Sequence, residues 1–528
     1  MRLWCGLVQD QNSTAGTPKL AIWQEMAFLV ATISVFFAVE VRAAALRSLW
    51  YDELSTMLVS SAPTIRALFR AAPVDGNPPL YFLLARLCLH LPIRPEIALR
   101  LPSIVAANIT ALLIYLFVRR NSDRIFAFFA MSVFLGSELY IFGAIEGRPY
   151  ALLLCWTAAG ICCWQSAAHG KGGRLALAGI AACMAGAIFS HQYGVIYLTV
   201  PLVAGECVRS WRARRIDLKV AGAALAGATS LLITFPPMLH AQAGLLKAIK
   251  DSPVFWSRPN LTFLADYLDT VPKFIPNLLW MIGLPAILLY IVLPKRGSSG
   301  ELTERSQWGR VEDLAVGVAL VLILPIMLVL TGLGTGYFWE RYGIGSALGV
   351  ALVCGLLFSW LNKQLPLMKA VVFAGIPYCL VVAIVSLWLS GPITGSPGAQ
   401  SDPLFVSAPA GEPLVIADAV VFSPTWWYSD QDKRKRLHYL SDISYAVKQP
   451  DFIPEYSLML EQPYGAPKLD DYKEFLAEHR EFLLYCYGMP RLEWVKNRLS
   501  DDGWHLIPIR SEGPHELFRV VGPDSAQR

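Results

Sequence analysis

SLWYDELSTM (residues 48–57) and GNPPLYFLLARLCLHL (residues 76–91) decide how the chain is arranged. The first stretch follows an apolar run and carries two adjacent carboxylates, Asp52 and Glu53, where charge is costly unless it is used. The second stretch is interrupted by an arginine and ended by a proline, so it falls short of the roughly 20 residues that cross a bilayer. We therefore interpret 79–91 as a helix lying in the membrane interface.

The composition is that of a protein with many membrane spans. Of the 528 residues, 55% are hydrophobic and only 16% are charged, and the mean hydropathy is +0.45. Soluble domains carry roughly a quarter charged residues, so this class is excluded. The net charge of +5 does not indicate a nucleic-acid partner, because Lys and Arg in such a chain mark cytoplasmic loops. The first apolar run lacks a small-residue cleavage site, which predicts a permanent anchor.

The apolar runs predict a mostly α-helical protein with about eleven transmembrane helices and additional interfacial helices. With 79–91 kept out of the bilayer, loop 42–98 lies outside and the basic clusters between spans all face the cytoplasm. Counting 79–91 as a span would put every cluster outside. The N terminus is then cytoplasmic and the C-terminal end lies outside. The predicted spans are 21–41, 99–118, 125–144, 150–168, 175–189, 195–208, 220–239, 275–293, 311–331, 344–361 and 370–389.

The composition changes after the last apolar run and predicts three parts of the chain. Residues 1–390 form the transmembrane part, and 391–412 are rich in Gly, Pro, Ser and Ala, which is typical of a linker. Residues 413–528 alternate strand-like and helical patterns and predict a small α/β domain outside the membrane. This stretch has no GxGxxG and no P-loop sequence, so nothing in it indicates nucleotide binding.

Four motifs, in their order and spacing, resemble the bacterial membrane glycosyltransferases of the GT-C fold. They are WYDE (50–53), NPPLYFLLAR (77–86), ALRLPS (98–103) and EGRPY (146–150). The resembling enzymes are relatives of protein O-mannosyltransferases and of the enzyme that puts aminoarabinose on lipid A. The resemblance covers roughly residues 20–390 in pattern. It implies transfer of a sugar from polyprenyl phosphate to a lipid, glycan or protein acceptor, at the outer face of the inner membrane.

The acidic pair provides the candidate catalytic groups. In the resembling enzymes the first acidic residue of this loop sits at the acceptor, which implies that Asp52 is the base. A carboxylate near a low-dielectric boundary gains basicity, and we expect this of Asp52. Glu53 is expected to orient Asp52 or to help hold the acceptor. The alternative stays open that the pair only marks a solvated boundary or the N terminus of the next helix.

Two arginines in predicted outer loops are candidate ligands for the donor phosphate. Guanidinium binds phosphate through two parallel hydrogen bonds and remains charged near lipid, which suits Arg148 and Arg341. Each lies close to a tyrosine, Tyr150 and Tyr342, and we include Tyr342 in the phosphate site. A lone arginine at a span end can instead merely snorkel to the interface. The other side chains expected in the pocket are Tyr51, Glu146, Tyr150, His191 and Tyr193.

A divalent metal is an open alternative. Glu146, His191, His90 and His240 are weak candidate ligands, because carboxylate and imidazole suit zinc or manganese. The sequence has no HxxxH, DxD or CxxC spacing among them, and single histidines at helix ends usually serve in packing. The sequence therefore predicts no definite cofactor.

Two other functions are alternatives to glycosyl transfer, and each predicts features that can be compared with the sequence. A transporter or flippase of lipid-linked sugars predicts ionisable residues at mid-span and two matching halves, whereas the ionisable groups here gather at one face. An O-antigen ligase or polymerase predicts a long outer loop rich in arginine. The loop at 240–273 holds only Lys247, Lys250, Arg258 and Lys273.

Overall fold

A computed structural model describes residues 19–170, 172–214, 217–260, 262, 304–393, 402–409 and 411–523. The predicted span 275–293 lies outside them. The helices of the first part are α1 (Lys19–Leu46), α2 (Tyr51–Ser60), α3 (Ile65–Asp75), α4 (Leu80–Leu89), α5 (Pro95–Arg119), α6 (Arg124–Leu135), α7 (Glu138–Ala144), α8 (Tyr150–Ala168), α9 (Gly173–Ser190), α10 (Gly194–Ala213), α11 (Leu218–Ala228), α12 (Leu231–Asp251), α13 (Glu304–Val321), α14 (Ile323–Leu333), α15 (Gly345–Leu361) and α16 (Leu367–Ile393).

Six helices of the described ranges are long and apolar enough to cross a membrane, and up to eight spans result if each of two bent pairs counts as one. The six are α1, α5, α8, α9, α15 and α16. The predicted spans 220–239 and 311–331 are the bent pairs, α11 with α12 and α13 with α14, with bends of 40° and 47°. The predicted span 125–144 is divided into two short helices, α6 and α7. The protein is therefore a multi-pass membrane protein, and its described residues hold fewer uninterrupted spans than the apolar runs in the same ranges predict.

Helix α4 occupies the stretch whose placement decides the topology. Its ten residues rise by about 15 Å, which is half the thickness of a hydrocarbon core. The hydroxyl of Tyr81 donates to the carbonyl of Leu99 at 3.0 Å and shares a 2.9 Å hydrogen bond with Ser103, so α4 is fixed against α5. This length is that of a helix packed beside the spans, as the sequence predicts for an element that does not cross.

The predicted α/β region at the C-terminal end is present. Its five-stranded sheet has the order β2-β1-β5-β7-β6, in which β1 is parallel to β2 and β5 while β7 is antiparallel to both neighbours. The strands are β1 (Leu414–Ile416), β2 (Leu437–His438), β3 (Leu440–Ser441), β4 (Asp470–Asp471), β5 (Glu481–Cys486), β6 (His505–Glu512) and β7 (His515–Val521). The helices are α17 (Pro403–Val406), α18 (Ala419–Tyr428), α19 (Gln431–Arg436), α20 (Ile443–Ala446), α21 (Ile453–Glu461), α22 (Tyr472–Glu478) and α23 (Trp494–Asp501).

The C-terminal α/β region packs directly on the first part of the chain. Leu245 and Ile249 of α12 are buried in the same apolar cluster as one face of its sheet, and Tyr51 of α2 is buried in the cluster on the other face. The hydroxyl of Tyr51 also donates to the carbonyl of Pro454 at 2.7 Å. This burial of apolar surface holds the two parts together.

A buried ion pair between Arg100 and Glu53 fixes the segment between α1 and α2. Nη2 of Arg100 lies 2.5 Å from Oε2 of Glu53 and Nε lies 2.7 Å from Oε1, and both side chains are 0% exposed. The same guanidinium donates to the carbonyl of Ala44 in the last turn of α1 and to those of Arg47 and Ser48 just after it, at 2.6–2.8 Å. One side chain of α5 therefore donates hydrogen bonds both to carbonyls at the end of α1 and to a carboxylate at the start of α2.

Replacing Arg100 with alanine is expected to reduce the free energy of unfolding by about 3–5 kcal/mol, because the carboxylate of Glu53 then remains buried without its partner. Thermal unfolding of the purified variant in detergent, followed by tryptophan fluorescence, measures the effect. Arg94→Ala is the matched control, since Arg94 adjoins the same helix but is 60% exposed and pairs with Glu96 at 3.4 Å. Such a pair is worth less than about 1 kcal/mol. Equal losses in the two variants would contradict a structural role for the buried pair.

Candidate active site

A cavity of about 550 Å³ lies between the membrane-spanning part and the C-terminal α/β region. Asp52, Arg148, His191 and Arg341 all line it, although they come from four separate segments of the sequence. Val420 and other residues of the C-terminal region close the opposite side. Three of the charged residues that we expected in the pocket, Asp52, Arg148 and Arg341, therefore face one space.

Asp52 and Arg341 form an ion pair in this cavity, with Nη1 of Arg341 2.6 Å from Oδ2 of Asp52. Asp52 lies in the first turn of α2, where the helix dipole favours a negative charge. Arg341 lies in a 3-10 turn, Glu340–Gly343, that leads into α15. Its guanidinium carbon is 4.9 Å from the ring centroid of Trp339 and 5.8 Å from that of Tyr150. Aromatic rings therefore hold the cation beside the carboxylate.

Arg148 is buried behind this pair and is itself paired. Its Nη1 donates to Oδ1 of Asp75 at 2.7 Å, and to Oγ1 of Thr56 and the carbonyl of Asp52 at 3.0 Å each. Asp75 ends α3, and the glycine that follows, Gly76, has a φ of +80° that turns the chain out of the helix. Nε of Arg148 has no hydrogen-bond partner among the described residues. The predicted phosphate ligand therefore keeps one free donor while its charge is balanced by Asp75.

The electrostatic surroundings of Asp52 differ from our expectation. Burial does raise its pKa, but the guanidinium groups of Arg341 and Arg148 and the hydrogen bond from Arg341 outweigh burial, so the pKa of Asp52 lies below its usual value. The prediction that this carboxylate gains basicity is wrong for the protein without substrate. Asp52 is ionised here and partnered by a cation.

Glu53 does not line the cavity. It is the third residue of α2, and its carboxylate accepts from the backbone N–H of Trp50 at 3.2 Å, as in one half of a capping box. It also accepts from the N–H of Gly147 at 2.6 Å, in addition to the ion pair with Arg100. We expected Glu53 beside Asp52 at the acceptor, but the structure buries it behind Asp52. Its contacts fix the positions of the WYDE and EGRPY segments relative to each other.

The predicted aromatic residues form one wall of the cavity. The ring of His191 lies 5.6 Å from Tyr150 and 5.2 Å from Tyr193, and Tyr193 lies 5.0 Å from Tyr342. Nδ1 of His191 accepts from the backbone N–H of Tyr193 at 3.2 Å. Burial, together with the charges of Arg148 and Arg341, lowers the pKa of His191 to about 3, so the imidazole is neutral. This aromatic wall is uncharged. It adjoins the surface formed by Asp52, Arg148 and Arg341, which we call the charged floor of the cavity.

The four candidate metal ligands do not form a metal-binding group. Among the described residues, no three His, Cys, Asp or Glu side chains are arranged to hold a metal ion. His90 and His240 are exposed and do not line the cavity, and neither does Glu146. Burial raises the pKa of Glu146 to about 7, although Arg341 opposes this.

Three residues that make contacts at or beside the cavity are not indicated by the sequence patterns. Arg100 lies inside the ALRLPS motif and Asp75 lies two positions before Asn77, and neither is among the predicted site residues. Asp75 accepts from Asn77 at 2.8 Å, so the acidic residue two positions before an Asn-Pro corner was the available signal. Glu461 enters the cavity from the C-terminal region, and its local sequence gives no indication of this.

Comparison with known proteins agrees with the resemblance found in the motifs. Residues 76–240 match the family model of dolichyl-phosphate-mannose-protein mannosyltransferases. This segment contains the cavity residues Arg148, Tyr150, His191 and Tyr193. No curated protein gives a significant match.

Two solved structures share the fold over almost the whole chain. The structure of ArnT from Cupriavidus metallidurans in the apo state is 12% identical, with a TM-score of 0.56, and the match covers 94% of this chain and 98% of that one. The structure of the same protein bound to undecaprenyl phosphate is 12% identical, with a TM-score of 0.57 and coverage of 93% and 98%. At this identity the likeness concerns the fold. The chain is therefore a membrane protein with the fold of the GT-C glycosyltransferases, as its motifs predicted.

Proposed function

We propose that the protein is a glycosyltransferase that moves a sugar from a polyprenyl-phosphate donor to a lipid, glycan or protein acceptor. The observation that carries this proposal is the pairing of Asp52 and Arg341 in one cavity, with Arg148 beside them. A carboxylate and two guanidinium groups are the base and the phosphate ligands that glycosyl transfer from a lipid phosphate requires. The fold is shared with ArnT, which has been seen with undecaprenyl phosphate bound, and this supports a donor of that class.

In the proposed reaction Asp52 accepts the proton of the acceptor hydroxyl as the oxygen attacks the anomeric carbon. The bond between this carbon and the phosphate oxygen breaks, and the polyprenyl phosphate leaves with the bonding electrons. Arg341 and Arg148 stabilise the negative charge that develops on the departing phosphate. Tyr150 keeps Arg341 in place, because its ring lies beside the guanidinium, and Tyr342, the next residue in the chain, packs against His191.

Binding of the donor phosphate is also expected to change the basicity of Asp52, because the phosphate and Asp52 compete for Arg341. While Arg341 is bound to Asp52, the pKa of Asp52 is held down and the carboxylate is a weak base. A donor phosphate competes for the same guanidinium, and each hydrogen bond that Arg341 transfers to the phosphate releases Asp52. The carboxylate therefore becomes more basic when the donor is in position. Glu53 is a positioning residue in this scheme, since it holds the helix turn that carries Asp52.

We further propose that the protein lies in the bacterial inner membrane with the cavity at its outer face. The basic clusters of the sequence support a cytoplasmic N terminus and an extracytoplasmic C-terminal region. The proposed division is 1–390 for the catalytic transmembrane part, 391–412 for the linker and 413–528 for the α/β domain. The end of α16 at Ile393 supports the first boundary, whereas α17 lies within the proposed linker and its Leu404 and Phe405 are buried against the sheet.

Replacing Asp52 with asparagine is expected to reduce sugar transfer by about 10²–10⁴-fold, because an amide cannot accept the proton of the acceptor. The measurement is transfer from a panel of radiolabelled polyprenyl-phosphate sugars by purified protein, with a membrane extract as the source of acceptor. Asp432→Asn, which changes an exposed carboxylate, is the control and should retain full transfer. Near-normal turnover by Asp52→Asn would exclude Asp52 as the base. Absence of transfer from every donor by the unmodified protein would contradict the proposed function.

Replacing Arg341 with alanine is expected to raise the KM for the donor roughly 10- to 100-fold, since a hydrogen bond to a charged group contributes about 1.5–3 kcal/mol. Arg341→Lys should recover only part of the loss, because an ammonium cannot form two parallel bonds to phosphate. Initial rates at varied donor concentration measure both effects, and the exposed Arg510→Ala serves as the control. An unchanged donor KM in Arg341→Ala would make this arginine a structural residue.

A further inference from the structure

Glu461 is the last residue of α21 and reaches the cavity from the C-terminal region. Its side chain is buried, with 5% of the residue exposed. Oε1 of Glu461 is hydrogen-bonded to Oγ of Ser55, and the same Oγ lies 2.6 Å from Oδ1 of Asp75. Two carboxyl groups from distant parts of the sequence therefore share one serine hydroxyl.

The hydrogen atoms available determine the protonation of these groups. A serine hydroxyl has one hydrogen to donate, so it cannot satisfy two ionised carboxylates. Asp75 is ionised, because it also receives hydrogen bonds from Arg148 at 2.7 Å and from Asn77 at 2.8 Å. Ser55 therefore donates to Asp75 and accepts from Glu461. Glu461 can donate only when its carboxyl group is protonated.

The charges around Glu461 agree with this assignment. The groups that act on it are Asp52 and Asp75, from the two helices that it contacts, and Arg148 from the segment before α8. None of the ion pairs among the described residues includes Glu461. Burial raises the pKa of Glu461 to about 8, with Ser55 and Arg148 opposing the rise and Asp75 and Asp52 adding to it. The carboxyl group is therefore neutral below about pH 8 and ionises above it.

We propose that Glu461 is a positioning residue that holds a proton at the wall of the cavity, and that this neutral carboxyl group allows the anionic donor to bind. The second half of the inference rests on the proposed function. It gives the C-terminal region a direct part in the site, through one protonated side chain.

The balance of charge in the cavity explains why the proton matters. In the two ion pairs nearest Glu461, Asp52 and Asp75 carry two negative charges and Arg148 and Arg341 carry two positive charges, while Lys250, Asp451 and Arg491 also line the cavity. The phosphate of a polyprenyl-phosphate sugar adds one negative charge beside these two neutral pairs. An ionised Glu461 would add another, close to the phosphate and in a medium of low dielectric, where like charges repel strongly. The proton on Glu461 removes this repulsion without removing the hydrogen bond to Ser55.

The first experiment tests whether the carboxyl group of Glu461 is protonated in the protein without ligand. Infrared difference spectra between pH 6 and pH 10 are expected to show carboxylic-acid absorption that is lost on ionisation, and Glu461→Gln should lack the component whose midpoint lies about one unit above neutrality while the component of Glu146 remains. Glutamine keeps the size of the side chain and can donate to Ser55, so this variant should fold. Glu478→Gln, at an exposed position in the same region, is the control and should keep the band. A spectrum of Glu461→Gln identical to that of the unmodified protein would overturn the inference.

The effect on the donor is tested with undecaprenyl phosphate as the probe. The Kd of the unmodified protein is expected to rise roughly tenfold more between pH 7 and pH 9 than that of Glu461→Gln, because only the former gains a negative charge. The titration of the probe itself is the same for both proteins and cancels in the ratio. Binding at pH 7 with the same alkaline loss in both proteins would overturn the inference and leave the proposed function intact. If the unmodified protein does not bind undecaprenyl phosphate at pH 7, the proposed donor class and the proposed effect of Glu461 on donor binding both fail. The infrared band still decides whether Glu461 carries the proton.

Discussion

The buried pair of Arg100 and Glu53 is the interaction on which the geometry of the site depends. A guanidinium inside a membrane-spanning helix requires partners for all its donors, and here they are a carboxylate and the carbonyls that end α1. The same carboxylate accepts from Gly147, so the segment that carries Arg148 is fixed by the same contacts. Asp52 precedes Glu53 directly, and its position follows from that of its neighbour. The charged floor of the cavity is thus built on a buried and fully paired set of polar groups.

The cavity combines this floor with walls of different character. Opposite charges stand within 3 Å of each other at Asp52 and Arg341 and at Asp75 and Arg148, so these two pairs create strong local fields and together carry no net charge. The aromatic wall formed by His191 and the neighbouring tyrosines is neutral at any ordinary pH. A phosphate can exchange partners with such pairs without exposing an isolated charge, and a sugar ring can pack against the aromatic wall.

The sequence predicted those features that depend on local pattern. Charged residues beside apolar runs predicted Asp52, Arg148 and Arg341 as candidate site residues, and the structure brings these three into one cavity. The length of the run at 79–91 predicted the short helix α4. The bends between α11 and α12 and between α13 and α14 had no signal in hydropathy, which records how apolar a run is and not whether its axis is continuous. The C-terminal α/β region followed from the change in composition.

Contacts between residues that lie far apart in the chain could not be predicted from the sequence. The partner of Glu53 lies 47 positions away, and the partner of Ser55 lies 406 positions away, at the end of a helix that has no distinguishing motif. The pKa of Asp52 was misjudged for the same reason. Burial can be inferred from neighbours in the chain, whereas the arginines that reverse its effect are brought in by the fold.

The attachment of Tyr51 to Pro454 has a consequence for how the protein is made. The ribosome synthesises the loop with Asp52 near the beginning and the segment that covers it near the end. Until residues beyond 450 have emerged and folded, the cleft remains open on one side and lacks Glu461. The cavity is therefore completed only in the last stage of biosynthesis, and a chain truncated before these residues would lack its covering wall.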